Sequence, residues 1–182
     1  MYMGGSEYYE KSYASGKEFE KFATFLLLAV YYLPINVFKD AKSQMEIGES
    51  KQGFEFKRDL QFYKTGNIFI KTKTRSNPGE PYRNSGIYKG DNSWVYVIGD
   101  FKTIFAFGIN FLKLLHKTKR YREIIGGRRN TVCGFLIPEK DAIKYCEIYL
   151  KIIQNTFKKN DDDIFKLAQV ELLKPKRGVL TL

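Results

Sequence analysis

Gly48-Glu49-Ser50-Lys51-Gln52-Gly53-Phe54-Glu55-Phe56-Lys57-Arg58-Asp59 is the stretch on which the reading of this chain turns. A polar turn ends at Gly53. From Phe54 onward apolar and charged residues alternate, Phe54 and Phe56 on one side, Glu55, Lys57 and Asp59 on the other. A period of two marks a strand buried on one face. Such a strand carries a carboxylate and an ammonium two residues apart on the same side, with Glu49 arriving across a short turn. Two readings follow. The charged side is the solvated outside of a sheet, or it is a site where hard carboxylate oxygens hold a divalent cation beside a fixed positive charge.

Working outward, a helix is expected from Ser15-Gly16-Lys17-Glu18, which has the form of a capping box, to the stop at Pro34. Phe19, Phe22, Ala23, Leu26, Leu27 and Val30 line its apolar stripe, and Glu20 falls on the more polar side. Met1–Ala14 reads as a loose N-terminal arm or a short helix. Ile35–Ile47 suggests a strand broken near Asp40–Ser43. Beyond Asp59, Thr65-Gly66-Asn67 is a tight turn into Ile68–Thr74, which pairs with Phe54–Leu60 as a hairpin. Plain alternation puts Phe69, Lys71 and Lys73 on one face.

Ser76–Asn84 is a loop, and Gly90-Asp91-Asn92 a turn into the apolar strand Trp94–Ile98. Thr103–Phe107 is another strand, and Asn110 caps a helix whose tail carries Lys117, Lys119, Arg120 and Arg122. Gly126–Asn130 is a basic loop containing Arg128 and Arg129, followed by a short strand from Val132 to Ile137. A long amphipathic helix from Glu139 through Ile153 and a last helix over Ile164–Leu173 with a basic tail complete the chain. The order implies an α+β fold, layered α/β/α, with a central mixed sheet flanked by helices and one domain over 1–182.

The chain has 31 Lys and Arg against 20 Asp and Glu, a formal charge of +11 that favours polyanionic partners. Nucleic acid comes first, with an anionic membrane surface or solubility as alternatives. Lys71, Lys73 and Arg75 add to the basic groups already named as candidate phosphate contacts. His116 is the single histidine and is expected at the surface. Cys133 and Cys146 are the two cysteines and lack CxxC spacing. Zinc and Cys-His chemistry are therefore disfavoured, and an intracellular, reducing setting is expected. The apolar run Phe22–Leu33 is shorter than the roughly 20 residues that span a bilayer.

With acids at Glu20, Glu49 and Glu55 and a lysine at Lys57, the chain resembles the PD-(D/E)XK nuclease superfamily, the restriction-endonuclease and junction-resolvase fold. Its segments Gly48–Ser50, Gln52–Lys57 and Ser85–Ile87 look like parts of uncharacterised phage or viral nucleases. The resemblance implies a DNA endonuclease, possible substrates including branched DNA, and a homodimer. It also implies Mg²⁺ or Mn²⁺ held by Glu49 and Glu55, with Lys57 orienting water or offsetting phosphate charge and Glu20 tuning a second ion. Neither a membrane nor a small-molecule cofactor is expected. In a competing register Glu55 is the first acid and Lys71-Thr72-Lys73 stands where the acid-x-lysine pair belongs. Lys71 then replaces an acid, which leaves a non-catalytic DNA-binding protein on the same scaffold as the alternative. A subunit that contacts other proteins through aromatic side chains is a third class.

Overall fold

The structure is a computed structural model that describes residues 5–152 and 170–172. It is an α+β fold built on a mixed sheet. Helix α1 (Gly5–Tyr31) is followed by a short α2 (Ala41–Glu46), strand β1 (Phe54–Arg58), a one-turn α3 (Phe62–Thr65) and β2 (Asn67–Thr74). Then come β3 (Arg83–Asn84), β4 (Val95–Gly99), β5 (Thr103–Gly108) and α4 (Ile109–Lys117). The chain continues through β6 (Glu123–Gly126), β7 (Val132–Pro138), α5 (Glu139–Tyr145), β8 (Ile148–Ile152) and β9 (Val170–Leu172).

The strands form two sheets. One has the order β1-β4-β5-β8-β9, the other β3-β2-β7-β6. In the first, β1 runs parallel to β4 and the remaining pairs are antiparallel, so it is mixed and β1 is its edge. Alternation along its strands sorts side chains to two cores. Phe54, Phe56, Val95, Val97, Ile104, Ala106, Leu150 and Ile152 meet Phe19, Ala23, Leu26 and Leu27 of α1. On the opposite face Tyr96, Ile98, Phe105, Phe107 and Tyr149 meet Ile68, Ile70, Phe135 and Ile137 of the second sheet, with α4 and α5 closing that core.

Several expectations are corrected by this arrangement. The first helix starts at Gly5 rather than Ser15, which settles residues 5–14 as helix. Ile35–Ile47 holds α2, because the Asp40 carboxylate accepts from the Ser43 N–H and caps a helical turn. Val37 makes one isolated bridge to Ser50.

No hairpin joins β1 to β2. The buried Asp59 carboxylate accepts from the N–H groups of Gln61, Phe62 and Phe69, turning the chain through α3 into the other sheet. Gly66, at φ 62°, ends that turn in the left-handed region.

The helix begun at Glu139 stops at Tyr145, and Ile148–Ile152 pairs with β5 as a strand. Val170–Leu172, assigned to a last helix, is a strand on β8. The aspartates at 161–163, the rest of that segment and the basic tail lie outside the described residues. Helix α4 is capped at Gly108, not Asn110. Among the described residues no helix is long and apolar enough to cross a membrane.

Candidate functional site

Glu55 and Lys57 lie in register with Tyr96 and Ile98 of β4, so their side chains face the space between the two sheets. The charged side of β1 is therefore not a solvated exterior. Glu55 is 3% exposed, and only Lys57 keeps a moderate opening to solvent. Lys57 Nζ stands 3.1 Å from Glu55 Oε1 and donates a hydrogen bond to Glu49 Oε1.

Glu49 is placed by its own loop. Ser50, fully buried, hydrogen-bonds through Oγ to the backbone N–H and C=O of Phe54. The Phe38 N–H donates to the Glu49 carbonyl and the Lys51 N–H to that of Asn36. Asn92 ties the loop down by donating to the carbonyls of Ile47 and Ser50. Gly48 and Gly53 both take positive φ, at 140° and 74°, where the loop runs against Asn92 and Trp94. Glu49 Oε2 then accepts from the Phe56 N–H at 2.7 Å, at the open edge of β1.

Glu20 approaches from α1. It is 8% exposed, so the expected polar side of that helix is in fact buried at this point. Its carboxylate oxygens accept from Lys17 Nζ at 3.0 and 3.1 Å. Glu20, Glu49 and Lys57, with Gln44, Arg58 and Leu60, line a cavity of about 260 Å³. A larger groove of about 670 Å³ between α1 and residues 34–39 is mainly apolar and meets this cavity at Lys17 and Glu20. The charged groups converge on the smaller one, whose lining includes Lys57 and Glu49 but not Glu55.

Burial raises the carboxyl of Glu55 above the usual range; Lys57 opposes this and Glu49 adds to it. Glu20 is raised in the same way by burial, against the pull of Lys17. For Lys57 burial acts downward, but Glu49 and Glu55 outweigh it and hold the ammonium well above its ordinary value. Lys57 is a fixed cation at any working pH. As an ammonium it can donate hydrogen bonds and offset charge, and it has no free lone pair with which to act as a base.

Lys71 lies within electrostatic reach of the same cluster without touching it. A register shift in the β2–β7 ladder pairs Lys71 with Gly134 but Lys73 with Cys133, adjacent residues of opposite parity. Burial nonetheless alternates along β2 as expected, with Ile68, Ile70 and Thr72 buried and Phe69, Lys71 and Lys73 half-buried. Burial and the neighbouring Lys57 lower the Lys71 ammonium, while Glu55 and Glu49 support it.

Three further participants were not foreseen. Lys89 Nζ lies 2.8 Å from Asp91 and donates to the Gln44 carbonyl at 2.9 Å, while Asp91 adds its negative charge to the surroundings of Glu55. Tyr96, packed beneath Glu55, is held protonated by burial and by that carboxylate. Asp91 stands in a Gly-Asp-Asn turn, and that turn signal masked its second role.

The basic candidates divide into two groups. Arg75 donates from Nε to the Asn130 carbonyl at 3.0 Å and lies 4.5 Å over the Tyr82 ring. Exposed Arg129 sits in the same turn at φ 58°, and exposed Arg83 faces Thr74 across β3. Arg128 shares that turn. Lys117, Lys119, Arg120 and Arg122 are exposed between α4 and β6. The two groups stand at opposite ends of β6. His116 is half-buried rather than superficial, with Nδ1 2.9 Å from the Tyr88 hydroxyl and its ring stacked on Phe135.

The sequence candidates Glu20, Glu49, Glu55 and Lys57 thus come together with Lys71 in reach, and most of the basic candidates stand apart from them. Comparison with protein-family models, curated proteins and solved structures finds no match to this chain.

Proposed function

We propose that this chain is a DNA endonuclease dependent on Mg²⁺ or Mn²⁺, with Glu49 and Glu55 as the protein's ligands to the ion. One observation carries the reading. Glu55 Oε2 is buried and accepts no hydrogen bond, on a carboxyl that burial, with Glu49 adding, raises against the pull of Lys57. A buried acceptor without a partner is costly, and a hard cation satisfies it. The donor set fits such an ion. Mg²⁺ is held by one or two carboxylates and completes its shell with water and phosphate. Among the described residues no three His, Cys, Asp or Glu side chains gather into a metal cluster, so two carboxylates are what the protein offers.

When bound, the ion supplies an activated water and neutralises charge developing on the phosphate. Lys57 holds Glu49 and Glu55 in place and presents a permanent positive charge to a phosphate. Glu20, tied to Lys17, closes the cavity from the α1 side. The basic end of the four-stranded sheet at Arg75, Arg83 and Arg129 supplies phosphate contacts along the duplex. Cutting two strands calls for two such sites, hence a homodimer.

The test is cleavage of labelled duplex and branched DNA with Mg²⁺ or Mn²⁺. Glu55→Gln keeps the shape and removes the charge, and it should lower cleavage by at least about 100-fold. Unchanged cleavage removes this assignment. A second reading, DNA binding without cleavage, is favoured by Lys71, whose positive charge stands within reach of the acids. Salt-dependent DNA affinity with no heat of Mg²⁺ binding in calorimetry would select it.

A further inference from the structure

The groove between α1 and residues 34–39 takes no part in the chemistry above. At about 670 Å³ it has the volume of a small-ligand pocket. Phe25 and Leu28 form its α1 wall, and Ile35, Val37 and Phe38 the opposite one. Leu28 is 46% exposed, although Leu26 and Leu27 beside it on the helix are buried. The mouth is cationic. Lys17, Lys21 and Lys39 stand around it against one acid, Glu20, which Lys17 neutralises. Among the described residues Lys21 and Lys39 have no ion pair, and both are exposed.

The groove is tied to the candidate site through the backbone. Besides the Phe38 N–H on the Glu49 carbonyl and the Lys51 N–H on that of Asn36, the Asn36 N–H donates to Gln52 Oε1 at 2.9 Å. The wall at residues 34–39 is therefore held by the same loop that carries Glu49. On the α1 side, Lys17 and Glu20 line both the groove and the charged cavity. A ligand with an anionic group at Lys57 reaches the groove past that pair.

Aromatic and aliphatic walls under a cationic mouth match a nucleotide, whose base is a flat apolar face on an anionic backbone. A base inside a continuous duplex is stacked between its neighbours, and bringing it out costs unstacking energy. We propose that this groove is a subsite for an unpaired nucleotide next to the phosphate that Lys57 faces, so that DNA with a single-stranded tail or branch is preferred over continuous duplex. The inference rests on the nuclease reading above and names its substrate class.

Fluorescence anisotropy on the full chain, with Ca²⁺ in place of Mg²⁺, tests it with three labelled probes: a blunt duplex, the same duplex with a single-stranded thymidine tail, and one whose tail is abasic. The abasic tail keeps the phosphates and removes the bases. The wild type should bind the thymidine tail about tenfold tighter than the abasic one. Phe38→Ala should bring the two tails to equal affinity and leave the blunt duplex unchanged. Leu28→Glu, at an exposed position, keeps the test open if Phe38→Ala does not fold. It should also abolish the difference, and the ratio of the two tailed probes cancels any general effect of its charge. Equal affinity of the wild type for both tails, or a preference kept by a folded variant, overturns the inference. Cleavage in Mg²⁺ or Mn²⁺ without that preference leaves the nuclease reading standing alone. A preference without cleavage upholds the groove and overturns the nuclease, and no binding to any probe overturns both.

Discussion

Replacing Lys57 by Met removes the ammonium that Glu49 and Glu55 share while keeping most of the aliphatic stem that carries it. Glu55 is then a nearly buried carboxylate with no cation in contact. Removing one partner of a fully buried pair costs about 3–5 kcal/mol, and an exposed pair is worth about 0–1 kcal/mol. Here the Glu55 side chain is 4% exposed and that of Lys57 30%. The loss should therefore fall between these limits, at about 2–3 kcal/mol at pH 8. With a urea slope of about 2 kcal/mol/M for a domain of this size, the unfolding midpoint should drop by roughly 1–1.5 M.

The sign of the pH dependence identifies the cause. The folded Glu55 carboxyl is already raised by burial, against the downward pull of Lys57. Without Lys57 it rises further. A folded acid that binds its proton more tightly than the unfolded chain does loses stability as pH rises, from the ordinary carboxylate value through the raised folded value. The gap between wild type and variant should be small near pH 4, widen through that window and level off above it. Urea titrations followed by circular dichroism at pH 4, 6 and 8 measure it. The double variant Glu55→Gln/Lys57→Met, with both charges gone, should recover to within about 1 kcal/mol of wild type. A gap that does not change with pH, or one under about 0.5 kcal/mol at pH 8, would refute the idea that this ammonium stabilises a buried acid.

Two further outcomes test the frame around the site. Asp59→Ala leaves the N–H groups of Gln61, Phe62 and Phe69 without their acceptor at the crossover between sheets, and should cost about 2–4 kcal/mol in the same urea assay. For DNA binding, Arg83→Ala with Arg129→Ala should reduce the slope of log affinity against log salt by about 2. Arg120→Ala with Arg122→Ala should leave it unchanged, because β2 leads from Lys71 toward the Arg75 end of the sheet and not toward the α4 end.

How far the sequence could be read depended on whether a feature was local. Alternation along Phe54–Lys57 survived because each side chain had a core or a site to face, and the turn before it brought Glu49 where the spacing suggested. The hairpin expected beyond it failed at one residue. Asp59 collects backbone donors from both sides of the turn and sends the chain into a second sheet, which alternation cannot reveal. Ile148, Tyr149 and Ile152 satisfy a helical spacing as well as a strand's, and pairing with β5 decided the matter. Glu20 looked polar on a helical wheel. It is buried because the helix lies across the sheet at the edge where Glu49 and Lys57 emerge. The register shift between Lys71 and Lys73 leaves no mark in composition.

The site's location on an edge strand has a consequence for its chemistry. An interior strand has neighbours for all its backbone donors, whereas an edge leaves a row of N–H groups exposed. At Phe56 the Glu49 carboxylate takes that donor with one oxygen and Lys57 with the other. The same side chain thus finishes the sheet and fixes the cation. Beneath it Glu55 rests on Tyr96, part of the core between the sheets, so the charges sit on an apolar floor, and Glu20, Glu49 and Lys57 open into the cavity toward α1. On the proposed reading an incoming phosphate or metal ion would exchange with these ion pairs as well as with water. A cation would gain the free oxygen of Glu55 and an anion the Lys57 ammonium, so a ligand bringing charge of both signs would disturb the ion pairs least. On the proposed reading a metal-bound phosphodiester would be such a ligand, and the bare ion would bind more weakly than the ion together with DNA.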